Sequence, residues 1–274
     1  MFGIKTYLTR NVTSITGEKS KKNQVNLEWW NERINLGDYL SKVVYDWMIQ
    51  KNNIKSNSIV KDTKHLMGIG SIIGMGNCDA VIWGSGIHTA KTMKFVFQQK
   101  RYRNYDIRLV RGPITRTILE AADYKCPDVY GDPAVLMPDI YLPHQVNKAY
   151  KVSLIQHLNQ ADQTDNKRVH CIDVATHDYA AFIDQILQSK KIISSSLHGI
   201  ILAETYGVPA IFLSKGMSDE KMKFFDWYFS TGRSNIRYAT SLEEALDMDP
   251  MSLPDLSNMK YRVLHSFPYD LWNN

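Results

Sequence analysis

Three consecutive serines, Ser194 to Ser196, precede Leu197, His198 and Gly199, and both flanks are apolar: Ile192–Ile193 before, Ile200–Leu202 after. Hydroxyls and an imidazole inside a greasy segment need a reason. If the first isoleucines end a buried strand and the second group belongs to a helix, the serines occupy the strand's carboxyl end. His198 then falls in the helix's first turn. That turn carries backbone N–H groups with no intrahelical partner, which suits it to anions. An imidazole titrates near neutral pH and can act as acid or base. A capping turn with a packed histidine would look the same, and position alone does not separate the two readings.

Arg111 is the second candidate. The stretch "DIRLVRGP" reads as a strand that breaks at Gly112, with Pro113 suited to the first turn of the next helix. An arginine there fits forked contacts with phosphate or carboxylate; an arginine paired with a neighbouring acid is the alternative. Arg108 and Arg116 read as structural. Gly70 with Ser71, and Gly84 with Ser85 and Gly86, end two short apolar strands and are expected to line a cleft. Their spacing does not match a dinucleotide fingerprint. His88 follows as an acceptor contact or a plain loop histidine. Asp132 in "GDPA" reads as a turn former before Pro133, with a base role left open. In "FFDWYF" (224–229) helical spacing points to core, with Phe225 and Tyr228 buried and Trp227 exposed.

These residues need a scaffold. "FGIKTYL" (Phe2–Leu8) reads as a strand and Asn11–Asn26 as a mobile, lysine-rich loop. "NLGDYLSKVVYDWMIQ" places Leu36, Leu40, Val43, Val44, Trp47 and Met48 on one helical face, with Asp38 in the favourable first turn. Strands at 65–71, 79–86 and 106–112 alternate with helical segments, which implies a parallel sheet covered by helices. The proline-rich stretch 130–147 reads as a domain boundary. Beyond it the pattern restarts: strands at 151–157, 168–174, 191–196 and 208–214, with helices at 178–190, 197–207, 219–232, 241–248 and 256–267. The expected architecture is α/β, with domains 1–145 and 146–274 and the last helix packing back on the first domain. Ligands of such sheets bind beyond the carboxyl ends of the strands.

The 274 residues are 44% hydrophobic and 22% charged, enough for a large core in a soluble protein. A diffuse net charge of +5 suits a small anionic substrate or a weak association with a membrane surface, and lacks the dense basic signature of nucleic-acid binding. Cys78, Cys126 and Cys171 are far apart and read as reduced thiols, neither a disulfide frame nor a zinc site. No apolar run is long enough to span a bilayer and the start lacks a signal-peptide core, so a cytoplasmic location is expected.

Taken in order, "NLGDYLSKVV", "VIWGSGIH", "LVRGPITRTIL", "GDPAVLMP" and "SSSLHGIILAETYGVPAI" resemble the polysaccharide pyruvyl transferases, with "VIWGSGIH" similar to the exopolysaccharide ketal-pyruvate transferase-like subgroup. The resemblance implies two Rossmann-like domains in a glycosyltransferase-B-like arrangement with an interdomain cleft. It implies transfer of the enolpyruvyl unit of phosphoenolpyruvate onto two hydroxyls of one sugar, with no metal or nucleotide cofactor. The implied acceptor is a saccharide, lipid-linked, reached at the inner face of the membrane. His198 is then the catalytic histidine from the second domain and Arg111 the functional arginine from the first, facing each other across the cleft. Ser195, Ser196, Leu197, Gly199 and Lys215 would hold the donor. Gly37 matches the family's Gly-Asp motif, where a backbone comes close to substrate; Asp38 orients a group or simply favours its helix. Many members carry arginine immediately before the Leu-His pair, where this chain has Ser196; Lys215, Lys221 and Arg233 are the candidate replacements. A sugar-nucleotide-dependent glycosyltransferase and a non-catalytic saccharide-binding relative are the alternatives.

Overall fold

A computed structural model describes residues 20–75, 78–143, 146–158, 168–214 and 216–273. The strand expected at Phe2–Leu8, most of the expected loop and Lys215 lie outside the described residues. Strands β1 (Val25–Glu28), β2 (Lys64–Met67), β3 (Ala80–Trp83) and β4 (Tyr105–Leu109) form a parallel sheet in chain order. Helix α1 (Leu36–Lys51) joins β1 to β2, α2 (Ala90–Gln99) joins β3 to β4, and α3 (Pro113–Ala121) follows β4. Both faces of the sheet are covered. In β3, Val81 and Trp83 enter one core while Ala80 and Ile82 enter another, because side chains alternate across a strand.

After the short helix α4 (Met137–Ile140), the second half supplies β5 (Ser153–Ile155), β6 (His170–Ile172), α5 (Tyr179–Leu187), β7 (Ile192–Ser194), α6 (Leu197–Thr205), β8 (Ala210–Leu213), α7 (Lys221–Ser230), β9 (Tyr238–Ala239), α8 (Leu242–Asp247) and α9 (Ser257–His265). Its five strands are all parallel in the order β6-β5-β7-β8-β9. The winding therefore reverses between β5 and β7. A crevice opens at such a switch point, beyond the carboxyl ends of the two strands. His157 follows β5 there, Ser195 follows β7, and the His157 backbone N–H donates to the Ser195 hydroxyl at 2.9 Å.

The two sheets share one core. Leu36, Leu40 and Val44 of α1 pack in the same cluster as Ile155, Ile192, Ile200 and Phe212. α6 is apolar on nearly every side, as a helix enclosed between layers must be. The stretch read as a boundary is part of this core: Pro133–Leu136 form a 3-10 turn, and Ala134, Val135, Leu136 and Met137 are buried between α1, α6 and α9. Its prolines start a 3-10 turn and α4, positions where no N–H is needed. The tail crosses back over the first sheet. Trp83 donates its indole N–H to the Val263 carbonyl, and Arg108 forks onto Asp270. Three of the elements without an expectation are β1, α2 and β9. β1 is an edge strand, VNLE, whose Asn26 amide bonds the Lys64 carbonyl, and its polarity reads as loop. α2 buries only Val96 and Gln99 and is started by a Thr89–Thr92 capping box. β9 has two residues.

Candidate active site

A cavity of about 300 Å³ opens beyond the carboxyl ends of both sheets. Trp30, Arg33, Asn35, Asp38, Gly70, Ser71, Ile72, Met75 and His88 line it from the first half; His157, Leu158, Ser196, Leu197, His198 and Lys223 line it from the second. Two helices begin there. Asn35 caps α1 by accepting from Gly37 N–H. Ser196 is the N-cap of α6 but makes no side-chain capping bond, so its first-turn N–H groups remain toward the cavity.

His198 lies in that first turn, 14% exposed. Its Nε2 sits 3.5 Å from Oδ2 of Asp132, which is buried. On the other side, a Cβ added to Gly37 would lie 2.4 Å from His198 Nδ1, so the ring rests against a backbone that carries no side chain. Asp38 stands beside it, bonded by the Asn35 amide at 2.5 Å. Burial pushes the Asp38 carboxyl above its usual range, against the pull of His198, Asn35, Lys223 and His88.

The cations of the cavity are mostly from elsewhere than expected. Lys223, on α7, is buried, with Nζ 3.5 Å from His88 Nε2 and 3.5 Å from Glu220 Oε2. Burial lowers its pKa, opposed by Glu220. Glu220 in turn is held down to about 2, chiefly by its bond with His88 and then by Lys223. His157 falls to about 4 through burial and the nearby Lys223 charge. An anion entering here would meet Lys223, Arg33, three imidazoles and the start of α6.

Arg111 is not part of the lining. It is 1% exposed, and its guanidinium is spent on Asp226 Oδ2 (3.1 Å), the Ser71 hydroxyl (2.7 Å) and the Ile87 carbonyl (2.8 Å). Asp226, also buried, accepts from Ile114 N–H, Thr115 N–H and the Thr115 hydroxyl as well. It thus caps α3 from the opposite half, where Gly112 provides no side chain. The expected face-to-face pair of Arg111 and His198 is replaced by a guanidinium locked behind the wall. Gly86 is where that guanidinium packs: a Cβ there would lie 2.3 Å from Arg111 Cζ. Ser85 is buried and bonds the Gly70 carbonyl; Gly84, at φ +93°, makes way for Pro133. Ser195 is fully buried, and Gly199 leaves room for the Ser194 hydroxyl. Of the expected lining residues, Asp38, Gly70, Ser71, His88, Ser196, Leu197 and His198 do meet at the cavity.

Of the candidate replacements for the missing arginine, Lys215 lies outside the described residues and the other two are otherwise engaged. Arg233 forks onto Glu204 at 2.6 and 2.8 Å, and Lys221 lies over the Tyr238 ring. Trp227 is buried, contrary to expectation, because its indole N–H donates to Glu204; Phe225 is only partly buried. His157 had a signal in its place at the carboxyl end of an expected strand. Lys223 had none, since a lysine in an aromatic-rich helix reads as a surface charge. Away from the cavity, Cys78 is buried near Glu28 and His65, a set with metal-ligand chemistry. Glu28 and His65 are 2.7 Å apart, a hydrogen-bond separation, and burial with Glu28 pushes the Cys78 thiol up to about 12.

Fold and site together define a two-sheet α/β protein with a histidine-bearing, cation-lined pocket at a switch point. The polysaccharide pyruvyl transferase profile matches residues 77–215, half of the chain, and the chain belongs to that family. It is 25% identical over 260 residues to an uncharacterized protein of Acanthamoeba polyphaga mimivirus, covering 88% of this chain and 85% of that one. It is 27% identical over 215 residues to the succinoglycan biosynthesis protein ExoV of Rhizobium meliloti, covering 74% of this chain and 64% of ExoV. A crystal structure of an uncharacterized Klebsiella pneumoniae protein shares the fold, with a TM-score of 0.52 at 15% identity over 76% of this chain and 87% of that one. Among the described residues no helix is long and apolar enough to cross a membrane.

Proposed function

We infer that the protein transfers the enolpyruvyl unit of phosphoenolpyruvate onto two hydroxyls of one sugar residue of a surface polysaccharide precursor, its two sheets arranged in the manner of glycosyltransferase-B enzymes. The observation that carries this reading is the cavity lined by both His198 and Lys223 at the start of α6. Such a donor brings a phosphate and a carboxylate, and the pocket answers with an ammonium, a guanidinium and backbone N–H groups. One sugar hydroxyl adds across the enol double bond, its oxygen to C2 and a proton to C3, which becomes a methyl group. The second hydroxyl then displaces phosphate from C2 and closes the ketal. Each step moves a proton, and His198 is the group placed to carry it. In this reading Lys223 does the work of the absent arginine, and Arg111 holds Ser71 and the wall in place.

Incubation with phosphoenolpyruvate and saccharide acceptors, followed by mass spectrometry of the acceptor and phosphate assay, tests the reading. Expected is the mass of one pyruvate ketal with phosphate release, lost in His198→Ala. Lys223→Met is expected to raise the donor KM about tenfold or more, the scale of one lost charged contact. Nucleotide release from a sugar nucleotide, with no use of phosphoenolpyruvate, would overturn it.

A further inference from the structure

Two buried polar atoms of the site face each other without another partner: Nε2 of His198 and Oδ2 of Asp132. They come from opposite halves of the molecule and stand 3.5 Å apart. A buried donor or acceptor left unmade costs free energy, so two such atoms aimed at one another amount to one hydrogen bond waiting to close. A shift of a few tenths of an ångström closes it, and catalytic hydrogen bonds commonly tighten when ligand binds.

The surroundings of Asp132 explain how it is aimed. Its other oxygen, Oδ1, accepts from Ala134 N–H at 3.0 Å and caps the 3-10 turn, which fixes the carboxylate plane. Pro133 seats against Gly84, where a Cβ would lie 2.2 Å from Pro133 Cδ. Gly131, at φ +157°, lets α9 approach, with Val263 Cγ2 2.7 Å from where a Cβ would stand. The Gly-Asp-Pro turn is therefore held on both sides by neighbours that no side chain at these glycines would tolerate.

We propose that Asp132 is a positioning residue for His198: it accepts a hydrogen bond from Nε2–H and so leaves Nδ1, the nitrogen beside Gly37, as the atom that exchanges protons with substrate. This rests on the reading of His198 given above. The geometry requires it, because Nε2 is shut away from the cavity while the ring as a whole lines it. A carboxylate on one imidazole nitrogen selects the tautomer and orientation of the other. Gly37 completes the arrangement by keeping the space next to Nδ1 clear.

Nitrogen-15 NMR of protein labelled at histidine tests this without any substrate. Expected is a neutral His198 protonated at Nε2, assigned by its loss in His198→Gln. In Asp132→Asn the amide retains the Oδ1 cap but offers N–H to Nε2, so the proton is expected to move to Nδ1. The same variant is expected to lower kcat by roughly 10²–10⁴-fold with the donor KM within a few-fold of wild type. Wild-type protein with Nδ1 protonated would overturn the proposal, as would Asp132→Asn with wild-type kcat. Failure of pyruvyl transfer in wild-type protein with the expected tautomer would instead count against the function alone. If Asp132→Asn does not fold, the wild-type spectrum decides by itself.

Discussion

Two strand-turn-helix junctions carry the chain's most suggestive residues, and they were built to opposite ends. At the β4–α3 junction, Gly112 caps a helix whose free N–H groups are filled by Asp226 from the other half, and Arg111 is buried against the same carboxylate. At the β7–α6 junction, Ser196 caps a helix without a side-chain bond, and His198 opens onto a cavity. Both junctions put a basic group at the carboxyl edge of a parallel sheet. One has its anion built in, and the other is left for an anion to arrive. The first is a clamp between halves, the second a site.

The largest expected effect falls on the clamp. Asp226→Ala would strand a buried guanidinium and uncap α3, at a cost of about 3–5 kcal/mol. Urea denaturation is expected to show most of the folding stability gone. A loss below about 1 kcal/mol would mean that Arg111 finds other partners and that the junction is not closed as described. The matched glycines sharpen the contrast. In Gly112→Ala the new Cβ would lie 2.0 Å from the Asp226 carbonyl oxygen, against backbone that has no room to move. That variant is expected to lose about 1–3 kcal/mol of stability. In Gly37→Ala the Cβ meets the His198 ring, and alanine is the better helix former within α1. Its stability is expected to fall less than that of Gly112→Ala, because a side chain and not backbone must yield, while turnover drops roughly 10²-fold, the scale of an ångström's misplacement. Equal stability losses in the two variants would erase the distinction between clamp and site.

The contrast also shows what the amino-acid order could convey. Strand, turn and helix at both junctions follow from apolar runs broken by glycine, serine or proline, and those were readable. So was the pairing of most strands with their helices. What occupies each helix start was not, because Asp226 lies 115 positions from Arg111 and reads as one acid in an aromatic helix. Lys223 escaped notice for the same reason. The stretch 130–147 reads through its prolines as a boundary, and composition gives no sign that Ala134 to Met137 are buried in the shared core beside Asp132. Local pattern records local structure. It does not record which surface another segment of the chain will cover.

The smallest expected effect concerns acidity, and it separates the two junctions once more. His157, in the cavity wall, is pushed down to about 4 from 6.5, first by burial and then by the Lys223 charge. The folded protein thus resists a proton that the unfolded chain accepts. Stability from this group is whole above pH 6.5 and is lost as pH falls toward about 4, because there the unfolded state binds more protons. Glu220 continues the decline at lower pH: held at about 2 against 4.5 by His88 and Lys223, it loses its contribution as pH falls from 4.5 toward 2. Urea midpoints measured between pH 7.5 and 5 should therefore fall, and His157→Gln should flatten that slope while leaving the midpoint at pH 7.5 nearly unchanged. His157 and Lys223 line the cavity, so an anion bound there, which favours protonated His157, should flatten the slope in wild-type protein too. A slope that is the same with and without His157 would place the acid sensitivity outside the site, and the cavity would then lack the electrostatic tension that distinguishes it from the clamp.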